Sequence, residues 1–113
     1  MRQNDFDKMF EESITAMRSL LCSKGADYSD DNDRLSNFKI IADLVGITPL
    51  QVWAVYKLKH TIAIMNYVKK GKLESEPIES RFFDENNYGM LGLGLIKEKE
   101  DENNVWHNRR GGF

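Results

Sequence analysis

A chain of 113 residues with 41% hydrophobic and 30% charged residues is one domain's worth of polypeptide, too apolar for global disorder and too charged for a membrane span. Its 18 acids against 16 lysines and arginines leave a net charge of −2, which removes the general electrostatic reason for binding nucleic acid or an anionic membrane. The single cysteine, Cys22, excludes an intrachain disulfide and a cysteine-built zinc site, and "MRQNDFDKMFEES" carries no apolar signal region, so a cytoplasmic location is expected.

The first predicted element is a helix over residues 5–24. Phe6, Met9, Phe10, Ile14, Met17, Leu20 and Leu21 recur at steps of three and four, which places them on one face, and Gly25 stands at the stop position. Core packing is the expected role of that face. The segment "KGADYSDDNDRLSNF", Lys24 to Phe38, is too polar for a core helix or strand and predicts a long acidic loop. Asp27, Ser29, Asp31 and Asp33 alternate as the first ligands of a calcium loop do. Asn32 replaces the required glycine, however, and Phe38 the bidentate glutamate, so such a loop is not expected. A hydrated Mg²⁺ ion, which needs only one or two carboxylates, is compatible.

A short second helix follows over 37–45, with Ser36 as N-cap and Gly46 as terminator. Thr48-Pro49-Leu50-Gln51 then combines a capping box with proline at the first helical position, and predicts a helix from Pro49 to Lys70 closed by Gly71. This third helix has two apolar faces. Trp53, Tyr56, His60, Ile64 and Tyr67 cluster on one, and Val55, Leu58, Ile62 and Met65 lie roughly opposite. A helix apolar on two sides is central to a bundle or packs on another subunit, so a homo-oligomer is expected.

After the polar link "GKLESEP", Pro77 opens a fourth helix to about Lys99. Within it Gly89, Gly92 and Gly94 each cost about 1 kcal/mol relative to alanine, which predicts close approach of a neighbouring helix or a ligand. Residues 100–113 read as a polar C-terminal tail whose Trp106 and Phe113 could dock. The fold class is therefore all-α: a four-helix bundle-like domain over 1–99, with a long acidic loop between helices 1 and 2 and the tail at 100–113.

Two constellations bear on function. "IADLVGITPLQVWAV" has the small-residue, glycine-turn and apolar spacing of a helix-turn-helix. The side chains that would face a major groove are Thr48, Pro49, Leu50, Trp53 and Ala54, and only the threonine reads a base edge, so nucleic acid is not the expected partner. In "EPIESRFFDENNY", Asp84, Asn87, Tyr88 and Leu91 are helical neighbours. An acid on that side must be paired when buried, by Lys57, Lys59, His60 or a metal ion, or within an internal salt-bridge network. His60 among aromatics is the commoner satisfied core histidine rather than a catalyst. No Ser-His-Asp order, Walker loop or HExxH motif occurs.

With these residues in view, "KGADYSD…RLSNFKIIADLVGITPLQVW…KHTIAI…EPIESRFFDENNY", spanning Lys24 to Ile96, resembles small phage and prophage proteins related to the nucleotide-modification-associated domain. These in turn look like distant relatives of MazG-type all-α nucleotide pyrophosphohydrolases. The resemblance implies a nucleotide site begun by Lys24, Asp27 and Tyr28, continued by Asn37 and Phe38, faced by Lys59 and His60, and completed by Glu79, Asp84, Asn87 and Tyr88; Arg81, in the same stretch, is a further candidate ligand-binding residue. It implies Glu79 and Asp84 as ligands of Mg²⁺ and Lys59 as the partner of the phosphates. MazG-type enzymes are expected to carry two acid pairs on facing helices. Here the central helix has no glutamate pair, and the adjacent Glu11 and Glu12 point in different directions, an arrangement suited to binding rather than hydrolysis.

The expected function is thus that of a phage-type protein, in the host cytoplasm, that binds a nucleotide or nucleotide-derived small molecule, by sequestration or with Mg²⁺-dependent phosphoanhydride hydrolysis. No catalytic residue is assigned. The rival expectations are a helix-turn-helix DNA-binding protein and a structural module that binds a host protein.

Overall fold

The computed structural model describes residues 1–30 and 32–109, and side chains through residue 103. Among these residues there are four helices: α1 (Gln3–Tyr28), α2 (Ser36–Val45), α3 (Pro49–Lys70) and α4 (Ile78–Arg109). Extended pairing among the described residues is limited to an isolated bridge between Asp30 and Asp33. The architecture is all-α and bundle-like, and among the described residues no single helix is long and apolar enough to cross a membrane.

Helix α3 has the termini its sequence specifies. The Gln51 backbone N–H donates to the Thr48 hydroxyl at 3.1 Å, and the Thr48 N–H donates back to Gln51 Oε1 at 2.9 Å. Gly71 closes the helix in the left-handed conformation, φ 77°, as Gly46 (φ 82°) closes α2.

Helix α1 departs from expectation at both ends. It runs through Gly25 to Tyr28, so Asp27 and Tyr28 belong to a helix and the connection to α2 shrinks to residues 29–35. The physical reason is that the last turn finds other partners. Both the backbone N–H and the hydroxyl of Ser29 donate to the Gly25 carbonyl, at 3.0 and 2.8 Å, and Arg34 lies across the bare Cα of Gly25. At the other end, Phe6, Met9 and Phe10 remain exposed; only Ile14, Met17, Leu20 and Leu21 of the apolar face are half-buried against the rest of the chain.

Two further differences are local. Leu35 rather than Ser36 precedes the first turn of α2, and the Ser36 hydroxyl instead accepts the Asp30 backbone N–H at 3.3 Å. Helix α4 continues past Lys99 to Arg109, where a polar tail was expected. Asp31, Phe113 and the Trp106 side chain, named in the sequence reading, lie outside the described residues.

The core is small. Phe38 and Ala42 of α2, Val52 of α3 and Leu95 of α4 are buried together, with Leu35, Ile41, Trp53, Tyr56, Tyr88 and Leu91 packed around them. Helix α3 lies on both α2 and α4, while α1 packs on α4. The radius of gyration is 17.4 Å, against the roughly 13 Å of a compact domain this long.

Close packing of α3 on α4 depends on one glycine. A Cβ at Gly92 would lie 2.5 Å from the Trp53 ring, whereas Gly89 faces open space. Gly89→Ala is expected to stabilise the fold by up to about 1 kcal/mol through helix propensity, and Gly92→Ala to destabilise it by about 1–3 kcal/mol through overpacking. Denaturant melts of the two variants check this, and equal shifts for both would contradict it.

Candidate functional site

The C-terminal turns of α1, the start of α2, the middle of α3 and the centre of α4 enclose a cleft of about 320 Å³. Helix α1 contributes Lys24 and Tyr28, α2 contributes Asn37 and Phe38, α3 contributes Lys59 and His60, and α4 contributes Asp84, Asn87 and Tyr88. These nine of the twelve residues singled out in the sequence are brought to one place. Leu21, Arg34, Ile41, Tyr56 and Leu91 complete the lining.

Asp84 is the polar centre of the cleft. It is 5% exposed, and its charge is matched by Lys24, whose Nζ donates to Oδ1 at 2.7 Å. Its other oxygen, Oδ2, lies 3.8 Å from His60 Nδ1, beyond hydrogen-bonding range, and that nitrogen is buried without a partner. Burial is the main force pushing the His60 imidazole below its ordinary range. Arg81, Lys24 and Lys59 act in the same direction, and Asp84 opposes them. His60 is therefore neutral at pH 7. Asn37 Oδ1 is a second buried acceptor without a partner.

An aromatic wall faces this polar centre. The Tyr88 ring stands 6.3 Å from Phe38, edge-on, and 6.3 Å from Tyr56, nearly parallel, with His60 at 5.0 Å. Burial raises the Tyr88 phenol above its ordinary range, so it stays a neutral hydrogen-bonding group. Asn87 is anchored from behind, donating from Nδ2 to the Met17 carbonyl at 3.0 Å, which joins α4 to α1.

Cations dominate the lining. Lys24, Arg34 and Lys59 meet one carboxylate, Asp84, in a chain whose overall charge is negative. Lys59 is exposed and forms no ion pair among the described residues, whereas Lys57, two residues earlier, is engaged by Glu85 at 2.5 Å. Arg34 donates from Nη2 to the Leu21 carbonyl at 3.3 Å, which lays its guanidinium along α1 beside the cleft. Arg34 and Tyr56 were the site residues that the sequence reading did not select. An arginine within an acidic run reads as charge compensation, and Tyr56 is marked only by sharing a helix face with His60.

Three expected members lie elsewhere. Asp27 is exposed on the outer side of α1. Arg81 pairs with Glu76 at 3.1 Å. Glu79 is exposed, and five residues along a helix put it about 140° around from Asp84, so the two carboxylates do not converge. Among the described residues no three acid, histidine or cysteine side chains are grouped to hold a metal ion. With Lys24 already on Asp84, this donor set does not suit a resident Mg²⁺ ion.

The acids of the α1–α2 connection have structural work. Asp30 Oδ1 accepts the backbone N–H groups of Asn32 and Asp33, at 2.8 and 2.7 Å. Asp33 accepts the Leu35 N–H at 3.0 Å and the Lys39 ammonium at 2.6 Å, while Lys39 also reaches Glu98. These carboxylates fold the turn and turn away from the cleft. The segment Lys24–Phe38 borders the cleft through Lys24 and Tyr28 at the end of α1, Arg34 of the connection, and Asn37 and Phe38 at the start of α2.

Helices α2 and α3 meet at 104°, within the helix-turn-helix range. Thr48 and Leu50 at the start of α3 are exposed, whereas Trp53 is turned inward. The Trp53 indole N–H donates to the Tyr88 carbonyl at 2.6 Å, and Thr48, Pro49 and Leu50 line a groove with Leu95, Ile96 and Lys99 of α4.

Comparison of the chain with protein-family models, with curated proteins and with solved structures found no match.

The neutral His60 makes a pH prediction. An unfolded imidazole titrates near 6.5 and the folded one below that, so between the two values the unfolded chain binds more protons. The stability held by neutral His60 is complete above about pH 6.5 and is lost as pH falls toward the folded value. The lowered carboxylates, Asp33 and Glu85, act only at more acidic pH. Thermal midpoints measured from pH 7.5 to about 5 are expected to fall on acidification, with a flatter profile for His60→Gln; identical profiles would remove His60 as the cause.

Proposed function

We propose that the protein binds a nucleotide or nucleotide-derived small molecule in the cleft between α1, α2, α3 and α4. One observation carries the reading: three cations and a cluster of aromatic rings line the same cleft, around a single buried carboxylate. An anionic ligand with a flat ring matches both features. Lys59, Lys24 and Arg34 would meet phosphate oxygens, and Tyr28, at the exposed end of α1, would offer a face for the base. The unpartnered acceptors, Asn37 Oδ1 and His60 Nδ1 in its unprotonated form, would take hydrogen-bond donors from sugar hydroxyls or an exocyclic amine.

Binding, as in sequestration, is the form of this reading that the donor set favours. Hydrolysis of a phosphoanhydride would need carboxylates free to hold Mg²⁺, and Asp84 is committed to Lys24 while Glu79 faces solvent. The resemblance to phage proteins of the nucleotide-modification-associated type points to the same ligand class. DNA reading is disfavoured because Trp53 is committed to the Tyr88 carbonyl and the Thr48 hydroxyl to capping α3.

A thermal-shift panel of nucleoside mono-, di- and triphosphates, with and without Mg²⁺, tests the proposal. At least one member is expected to raise the midpoint, and Lys59→Ala to weaken its binding about 10- to 100-fold while leaving the ligand-free midpoint unchanged. Pyrophosphate or phosphate release in the same mixtures would show turnover in place of simple binding. No stabilisation by any nucleotide at millimolar concentration would sink the reading.

A further inference from the structure

We infer that the outer face of α3 is the seam of a homodimer, in which a second copy of this chain packs its own α3 antiparallel to the first. The face consists of Val55, Leu58, Ile62 and Met65, which are 63%, 56%, 59% and 57% exposed in the single chain. They form an unbroken apolar stripe on the side of the helix turned away from the cleft. Lys57 and Lys59 sit to either side, about 80° or more from the stripe's centre, with Lys57 neutralised by Glu85, and Lys69 lies in line with the stripe one turn beyond Met65, where an antiparallel copy would set it against Gln51.

The occupant is argued from the spacing and from the core. The intervals along the stripe are three, four and three residues, a pattern that reads the same in both directions. An antiparallel copy therefore sets Val55 against Met65 and Leu58 against Ile62, each contact made twice about a two-fold axis. Self-complementarity of this kind is what an isologous interface needs and what an unrelated partner has no reason to match. Among the described residues the single chain, meanwhile, encloses five buried apolar side chains, with a radius of gyration well above that of a compact domain. Each stripe residue leaves on the order of 100 Å² in water, so the four supply about half of the roughly 800 Å² per partner typical of a stable interface. Flanking side chains such as Thr61 and Asn66 would form the polar rim.

The test uses the full chain. Sedimentation or light scattering at tens of micromolar is expected to give twice the chain mass, and Leu58→Glu to give the monomer with helical content retained. A second arm stands even where that variant unfolds. In a Cys22→Ser background, Leu58→Cys combined with Ile62→Cys is expected to form interchain disulfides on mild oxidation, because paired residues across the seam approach disulfide distance. Leu44→Cys, exposed on α2, is expected to form none. A monomeric wild-type chain, or a dimer that survives Leu58→Glu and fails to cross-link at 58 and 62, would overturn the inference.

Discussion

The cleft exists because Trp53 is seated on Gly92. The indole ring occupies the space a side chain at 92 would fill, and its N–H reaches the Tyr88 carbonyl, one helical turn earlier. The two features are connected: a side chain four residues on from a helical carbonyl tends to cover it, and glycine leaves it open to a second donor. This contact sets how closely α3 approaches α4. It thereby fixes His60 and Asp84, one turn or two from the contact, at 3.8 Å, and puts Tyr56 beside Tyr88. Phe38 closes the same junction from α2 with its edge against Tyr88.

Charge around the cleft follows from what each ion already satisfies. Asp84 is too buried to stand alone, and Lys24 is the partner that pairs with it, which tethers the end of α1 to the middle of α4. Asn87 makes a second tether between the same helices through the Met17 carbonyl. Lys57 and Lys39, which would otherwise add to the positive surface, are engaged by Glu85 and by Asp33 with Glu98. Lys59 and Arg34 therefore make the excess positive charge local, though the chain as a whole is acidic. Net charge excluded a general affinity for polyanions and says nothing against one small anion in a cleft of this kind.

How much of this was legible differs by residue and for physical reasons. The capping box at Thr48–Gln51 and the glycines after α2 and α3 marked boundaries because their signals are local. The two faces of α3 were readable from periodicity alone. Gly25 misled because its helical role depends on Arg34 and Ser29, partners supplied by the tertiary fold. The same holds for the loop acids. Alternate carboxylates fit an ion or a turn equally well, and only the backbone N–H groups around Asp30 and Asp33 decide between them. Periodicity also reports that a face is apolar without saying what covers it, so Phe6, Met9 and Phe10 were expected in a core that one chain does not provide. Glu79 and Asp84 are close in sequence, yet the helical turn separates them.

The two-sided character of α3 ties these observations together. A helix buried on one face needs only one apolar stripe, and a second stripe is a liability in water unless something covers it. On the inner face, the aromatic and polar side chains Trp53, Tyr56 and His60 are held by specific bonds and ring contacts, as suits a binding wall that must keep its shape. On the outer face only aliphatic and thioether groups occur, with no hydrogen bond to orient them, as suits packing. Lys59 stands between the two, adjacent in sequence to His60 and beside the outer stripe. Covering the outer face would exclude water from the back of α3 and stiffen the helix that carries both Lys59 and His60. An apolar seam on that face would thus support the cleft without contributing a residue to its lining.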